Sequence, residues 1–415
     1  MTTIVIGGGV VGVATAYELA RDGEDVTLVE RDPTVASGAS AVNAGLITPG
    51  HSLAWASPQA PGMLVRSVFG ARTVIRVRPR PDPRLARWGV RFLRECTPAR
   101  FARNTLVKYE LSRYSQTCID EVAEREGIAF DREQGLLYLF ADDEALTAAW
   151  QRLGVLHEHG LEQRILTADE VGQLEPVLAG APGIAGAVHG VTDGLGDSAA
   201  FARQLADVAV ADHGVRLETS VTVTQLVAEG SRVVAAVTDT GDLLTADRFV
   251  LAAGTFTPLI TETIGLRVPI EPAKGYSATF PIVDESQAPL RGGVDESRLV
   301  AFSRLGDRLR LTSTAEFAGW DTTTPTERFA HIRDVAASWF PHAADYDAGE
   351  YTSGLRPATP DGPPIIDRSP RHTNLWVNAG HGHLGWTMSC GSARVLTARI
   401  AGHTPPVPVD GLGWR

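Results

Sequence analysis

The stretch IVIGGGVVGVATAYELA, residues 4–20, follows a pattern that decides the fold. Thr3–Ile6 reads as a short apolar strand, a glycine turn follows, and a helix is predicted over Val10–Arg21, ended by Gly23. A second strand is predicted at Val26–Val29, which completes β-α-β, the crossover a parallel pair needs. Each glycine of Gly7-x-Gly9-x-x-Gly12 has a physical task. Gly7 makes the turn, Gly9 lets a pyrophosphate approach the backbone, and Gly12 lets helix and strand pack. The helix N-terminus, at Val10 and Val11, supplies N–H groups and a positive dipole end to phosphates. Glu30 ends the next strand, where a carboxylate can hold an adenosine ribose hydroxyl, with Arg31 beside it. The competing reading is a glycine-rich turn in another α/β fold.

Composition narrows the class further. The chain has 415 residues, 44% hydrophobic and 21% charged, with 42 glycines where average usage gives about 29. Disorder, collagen and coiled coil are excluded, and the length allows two domains or three. Three cysteines (Cys96, Cys118, Cys390) and no C-x-x-C make neither a disulfide framework nor a four-thiolate zinc site; no metal is expected. This suits a reducing compartment, and the expected location is cytoplasmic. The uncharged run Ile4–Tyr17 imitates a signal peptide but has four glycines and no basic region before it. The net charge of −11 argues against nucleic acid as a partner. The charge is uneven: residues 66–103 carry +9, leaving −20 for the rest.

Further along, Asp82-Pro83 caps a helix to about Glu95, and Thr97-Pro98 caps a long one ending near Gly127. Leu136–Phe140 reads as a strand, Thr167-x-x-Glu170 as a capping box, and Asp197-Ser198 as the start of a helix to about His213. Val215–Leu217, Val221–Val227 and Arg232–Val237 alternate like a small meander. Phe249–Leu251 is an apolar strand running into Ala252-Ala253-Gly254. Residues 274–314 read as strands with a hairpin turn at Gly306-Asp307. A helix is predicted from Thr324-Pro325 to about Phe340, then a strand at Leu375–Val377 and a closing helix over Gly385–Ile400.

NAD and FAD share the ADP half that the glycine motif reads. Two other segments favour FAD. Ser40-Ala41-Val42-Asn43-Ala44-Gly45-Leu46 follows the acidic residue closely, and its small polar residues can reach a pyrophosphate. Gly380-His381-Gly382-His383-Leu384-Gly385-Trp386-Thr387 forms a glycine-rich turn before the final helix. Its N–H groups can face the flavin edge that becomes negative on reduction. A helix cap with tight packing is the plainer reading of the second segment.

The chain resembles the D-amino acid dehydrogenases of the D-amino acid oxidase superfamily, which includes glycine and sarcosine oxidases. The matching stretches include ASAVNAGLITPG (39–50), RFLRECTPARFARN (91–104), KGYS (274–277), GLRPATPDGPPII (354–366) and NLWVNAGHGHLGWTMSCGSARVL (374–396). The resemblance implies an α/β, two-domain FAD-dependent oxidoreductase. A Rossmann-like domain would bind FAD non-covalently, and a mixed or antiparallel sheet would carry the substrate domain. The expected division is 1–80, 195–265 and 350–415 for the cofactor, and 81–194 and 266–349 for the substrate.

Arg356 matches the family's carboxylate-binding arginine, and guanidinium is the bidentate partner an α-amino acid needs; a structural ion pair is the alternative. Tyr276 matches a substrate-facing position, although a buried strand tyrosine bonded elsewhere fits the residues as well. Val221 matches the position whose backbone meets adenine, with Ala253 and Gly254 near the same cofactor half. His383 departs from the family, where a small hydroxyl residue or an arginine is expected. It can contact substrate or flavin, or accept a proton from the substrate ammonium, a task solvent can also perform. His381 reads first as turn geometry. His51 is a candidate cavity residue, and Cys390 reads as core.

The implied reaction is oxidation of an amino acid C–N bond, with hydride passing from Cα to flavin N5. An oxidase or dehydrogenase of secondary amines such as glycine, sarcosine or proline derivatives is the alternative. A flavin-binding subunit without turnover of its own is the reading from another class. The electron acceptor stays open between a quinone or respiratory chain and oxygen. Arg84, Arg87, Arg91 and Arg94 share one face of the helix at 83–95, either as a solvated face or as peripheral contact with an anionic membrane or redox partner through 66–103.

Overall fold

The computed structural model describes residues 1–68, 75–78 and 80–415. Strand Thr2–Ile6, helix Val10–Arg21 and strand Asp25–Val29 form the parallel unit at the centre of a six-stranded sheet. Its order is Ile365–Arg368, Leu375–Ala379, Arg248–Leu251, Thr2–Ile6, Asp25–Val29, Arg216–Glu218. Alternation along the strands separates two cores. Val5, Leu28 and Val250 point into one core, shared with helices Val10–Arg21, Ser198–His213 and Ser389–Ala401. Ile4, Ile6, Phe249 and Leu251 point into the other, with Val223, Leu226 and Val233 of a three-stranded sheet.

The second large sheet has ten strands. Glu350–Ala358, Glu271–Pro281, Arg308–Phe317 and Val300–Leu305 lie side by side, antiparallel throughout. Gly292–Asp295 continues the sheet and pairs in parallel with Glu133–Phe140, beside which run Gly186–Leu195 and the two residues Leu46–Ile47. Helix Ala330–Trp339 and helix Asp143–His157 cover it through separate apolar clusters.

The expected caps form. Asp82 accepts from the Arg84 and Leu85 N–H groups, Thr97 from that of Arg100, and Gly127 ends the long helix Pro98–Glu126 at φ +65°. Thr167 and Glu170 close a full capping box.

Three expectations change. Arg216–Glu218 is not part of the meander but the edge of the six-stranded sheet, parallel to Asp25–Val29. Ser220, at φ +59°, turns the chain before the meander begins at Val223. A period of two marks a strand without naming its partner. The final α-helix starts at Ser389, not Gly385, because the Ser389 N–H bonds three residues back to Trp386 and Gly382–Leu384 is a 3₁₀ turn. The helix expected from Thr324 begins as a 3₁₀ turn and becomes α-helical only at Ala330. Sheet and core membership also run across the boundaries expected at 81 and 350. The long helix packs Leu111, Cys118, Ile119 and Val122 into the core of the six-stranded sheet, while Glu350–Ala358 belongs to the ten-stranded one. An amphipathic helix reveals its apolar face in sequence, not what that face meets.

The long helix meets the final helix at a point with no slack. The Gly391 N–H donates to Ser115 Oγ at 2.9 Å, and a Cβ on Gly391 would stand 2.5 Å from Ser115 Cβ. Gly391→Ala is therefore expected to destabilise the fold by about 1–3 kcal/mol. Thermal unfolding of the variant beside wild type checks this, and an unchanged midpoint would contradict the contact.

Candidate functional site

A cavity of about 550 Å³ runs between the two large sheets. Its floor is the glycine turn. Gly7 has φ +111°, and a Cβ there would strike the Ala252 carbonyl at 2.7 Å. Helix Val10–Arg21 starts at Gly9, which has no side chain to cap it, and no acidic residue stands in its first turn, so no charge within the helix offsets its positive end. Gly7, Gly9, Val10 and Val11 line the cavity. Gly12 does not. A Cβ on it would lie 1.7 Å from the Gly7 carbonyl oxygen, so its task is packing.

Glu30 reaches the cavity with both oxygens accepting backbone N–H groups, from Gly8 at 2.5 Å and Asp32 at 2.9 Å. Its remaining lone pairs can still accept hydroxyls. Arg31 lies over the Phe256 ring at 4.1 Å. Val221, whose N–H donates to the Glu30 carbonyl, and Ala253 and Gly254 complete this end.

The loop at 38–46 is held from the other sheet. Arg310, buried on strand Arg308–Phe317, donates to the carbonyls of Ala41 at 2.7 Å and Asn43 at 3.3 Å. Ser40 Oγ accepts from the Val10 N–H, tying the loop to the helix start. Asn43 Oδ1 accepts from the Gly45 N–H at 2.6 Å. Ser40, Asn43, Ala44 and Leu46 line the cavity, while Gly45, at φ +72°, lies behind it.

At the far end, His381, Gly382, His383, Gly385 and Trp386 line the cavity. Leu384 and Thr387 are buried outside the lining. Thr387 Oγ1 accepts from the Thr48 N–H at 3.1 Å and so fixes the loop leading to His51. The Trp386 Nε1–H donates to the Gly196 carbonyl at 3.1 Å.

Arg356, Tyr276, His383 and His51 all line this same cavity. Burial lowers the Arg356 pKa to about 10, which leaves it a cation at neutral pH. Gly275 gives it room: a Cβ there would stand 2.3 Å from an Arg356 terminal nitrogen. The Tyr276 hydroxyl donates to Glu316 Oε2 at 2.7 Å, and burial together with that carboxylate raises its pKa. His383 stacks on Trp55, ring centroids 5.2 Å apart. Burial and the nearby Lys108, His51 and Arg356 push its pKa well below 6.5.

Several contributors carry no motif in the sequence. Trp55 lines the cavity beside His383. Lys108, buried on the long helix with its pKa brought down to about 7, donates to the Leu53 carbonyl at 3.0 Å. Arg310 is one of two arginines on strand Arg308–Phe317, and nothing local marks it out from Arg308. Only long-range packing brings these groups to the site.

The lining suits a dinucleotide flavin. Glycines 7 and 9 leave the backbone open at a helix N-terminus that only Ser40 Oγ reaches, at the Val10 N–H. Two buried polar atoms in the lining, His381 Nε2 and Asn378 Oδ1, have no hydrogen-bond partner among the described residues.

Known proteins place the chain in a family. The model of the FAD dependent oxidoreductase family matches residues 2–399. A protein named D-amino acid dehydrogenase 2 from Mesorhizobium japonicum is 42% identical over 99% of this chain and 99% of its own. A D-amino acid dehydrogenase from Chromohalobacter salexigens is 39% identical, covering 99% of this chain and 98% of its own. Among solved structures, glycine oxidase from Geobacillus kaustophilus superposes with a TM-score of 0.76 at 21% identity, over 100% of this chain and 98% of that one. The chain belongs to the FAD-dependent oxidoreductase family, and its cofactor is FAD.

His381 has a measurable consequence. Burial lowers its pKa from 6.5 to about 3. Below pH 6.5 the unfolded chain takes up a proton that the native imidazole refuses. Stability is therefore lost on acidification from about 6.5 toward 3, at up to about 1.4 kcal/mol per pH unit. His381→Asn is expected to lose less stability than wild type between pH 7 and pH 5. Urea titrations at the two pH values measure this, and equal losses would contradict it.

Proposed function

We propose that the protein oxidises the C–N bond of D-amino acids, giving an imino acid that water converts to a 2-oxo acid and ammonia. The observation that carries this reading is Arg356, a desolvated cation opening on the same cavity as the dinucleotide cradle. Full-length similarity to proteins named D-amino acid dehydrogenase supports the substrate class. FAD, when bound, takes up the hydride and its two electrons from Cα. The chain's own residues do the rest. Arg356 binds the α-carboxylate through two parallel N–H···O bonds, which fixes the orientation of the Cα–H. His383 remains neutral and, with Trp55, forms a flat wall for the substrate side chain. Tyr276, its hydroxyl committed to Glu316, closes the cavity as a ring.

The basic segment supports a peripheral membrane contact within the same reading. No helix among the described residues is long and apolar enough to cross a membrane. Helix Pro83–Glu95 buries Trp88 and Phe92 and exposes Arg87, Arg91 and Arg94 beside Val90 and Leu93, both 51% exposed. Arg84 is not part of that free face, because it pairs with Glu262 and lies over Trp320. Arg78 and Arg80 are likewise paired, with Glu316 and Glu271. The portion of the segment at 69–74 and 79 lies outside the described residues.

Anaerobic bleaching of the flavin by a panel of D-, L- and N-methyl amino acids and prolines tests the activity. D-amino acids are expected to bleach it first; preferential bleaching by glycine, sarcosine or prolines would replace the reading with secondary-amine oxidation. Arg356→Lys is expected to weaken substrate binding roughly 10- to 100-fold, as loss of a charge-assisted bidentate pair implies. Wild-type affinity in that variant would remove Arg356 from its role. Sedimentation with anionic liposomes at low salt is expected to carry the protein down, and Arg87→Glu with Arg91→Glu to abolish it. A wild type left in the supernatant ends the membrane reading.

A further inference from the structure

Loss of hydride from Cα requires the neutral amine, whereas an amino acid arrives as the ammonium. We infer that His51, held by Glu296, accepts this proton, and that His383 does not. The inference rests on the amino acid reading above.

The two histidines share a cavity wall, with ring centroids 5.6 Å apart, yet their surroundings are opposite. His51 Nε2 lies 3.2 Å from Glu296 Oε1, in the turn after strand Gly292–Asp295. Its ring stacks on Tyr138 at 5.7 Å, nearly parallel. The Tyr138 hydroxyl donates to Asp193 Oδ2 at 2.6 Å, and the Gly50 N–H donates to Asp193 Oδ1 at 2.8 Å. Backbone and ring plane are thus both fixed, and a Cβ on Gly50 would stand 2.4 Å from the same carboxylate.

The charged and titratable groups around His51 come from every neighbouring element. Glu296 and Asp193 favour its imidazolium, Lys108 on the long helix opposes it, and His383 and Tyr138 are neutral neighbours. Burial alone lowers the His51 pKa, but Glu296, through its hydrogen bond and its charge, outweighs burial and sets it above 6.5. Around His383 stand Lys108, His51 and Arg356, all basic, and its Nε2 lies 3.4 Å from the His51 carbonyl. An imidazolium there has no carboxylate to balance it.

The proton balance is simple. One proton leaves the substrate ammonium for His51, leaving a neutral amine and an imidazolium paired with the Glu296 carboxylate. The Glu296 side chain is 22% exposed, so the proton can pass from the pair to solvent.

The test uses the holoenzyme with D-alanine as probe. Two quantities are followed against pH: the rate of anaerobic flavin reduction, and the imidazole resonances of histidine-labelled protein. In wild type the rate is expected to fall on the acid side with an apparent pKa equal to that of the His51 resonance. Glu296→Gln is expected to lower both by about 1. His51→Gln is expected to slow reduction about 100-fold at neutral pH and to lose that acid limb, its rate then following the amine's own ionisation. An unchanged acid limb in His51→Gln, no movement of either quantity in Glu296→Gln, or a His383 resonance that protonates before His51 overturns the inference. If neither D-alanine nor any other amino acid reduces the wild-type flavin, the amino acid reading falls and this inference with it. That result is distinct from a wild type that reduces normally beside an unaffected His51 variant.

Discussion

The carbonyl oxygen of Gly7 occupies the space where a side chain at residue 12 would begin. That close approach governs much of what surrounds it. It presses the start of helix Val10–Arg21 onto the end of strand Thr2–Ile6, so the first N–H groups of the helix stop at the cavity floor and not beside it. It also brings Gly7 against Ala252, at the end of strand Arg248–Leu251, so two parallel strands end at the same level. A ligand placed in the crevice beyond those strand ends meets a helix dipole and backbone N–H groups, of which Glu30 takes that of Gly8 and Ser40 that of Val10. One added methyl group at residue 12 would move the helix and lose all of these together.

The wall opposite this floor is built from distant parts of the chain. The loop from residue 38 to residue 55 carries Ser40, Asn43, His51 and Trp55; Asn43 braces it locally through Ser40 and Gly45, and further support comes from outside the loop. Arg310 binds its first half from the ten-stranded sheet. Thr387 binds the middle through Thr48. The long helix binds the end, with Thr105 accepting from the Ala54 N–H and Lys108 donating to the Leu53 carbonyl. Thr105, Lys108, Ser112 and Ser115 recur at helical spacing, so one buried stripe of this helix is polar. Buried polar groups are costly unless satisfied. Here Thr105, Lys108 and Ser112 meet the loop, and Ser115 meets the final helix. The stripe holds a binding wall in place where an apolar stripe would only have packed.

This division explains what could be read from the residues alone. The glycine motif, the acidic strand end and the caps at Asp82, Thr97, Thr167 and Asp197 are local devices, each complete within a few residues. All of them stand where the sequence puts them. The 40–46 loop and the 380–387 turn, both of which contribute to the cavity lining, were readable for the same reason: small residues mark close backbone approach. Sheet membership is not local. Arg216–Glu218 and the strands after it share one alternating pattern yet join different sheets. Side-chain pairs at the cavity wall are least local of all. His51 and Glu296 are separated by 245 positions, and nothing in either segment predicts the other. The sequence also leaves open which histidine is basic, since His51 and His383 differ only in the charges that folding brings to them.

Those charges follow a simple order. Glu296 and Asp193 act on His51, Arg356 acts on His383, and Lys108 acts on both. The two neighbouring histidines therefore stand in different surroundings, His51 with carboxylates beside it and His383 with basic groups. On the proposed reading, an amino acid zwitterion lies with its carboxylate toward Arg356 and its ammonium toward His51. Lys108 fits this picture. Its pKa of about 7 means that its charge is only partly present near neutrality. It can therefore hold the loop through Leu53 without forcing a full positive charge against the arriving ammonium.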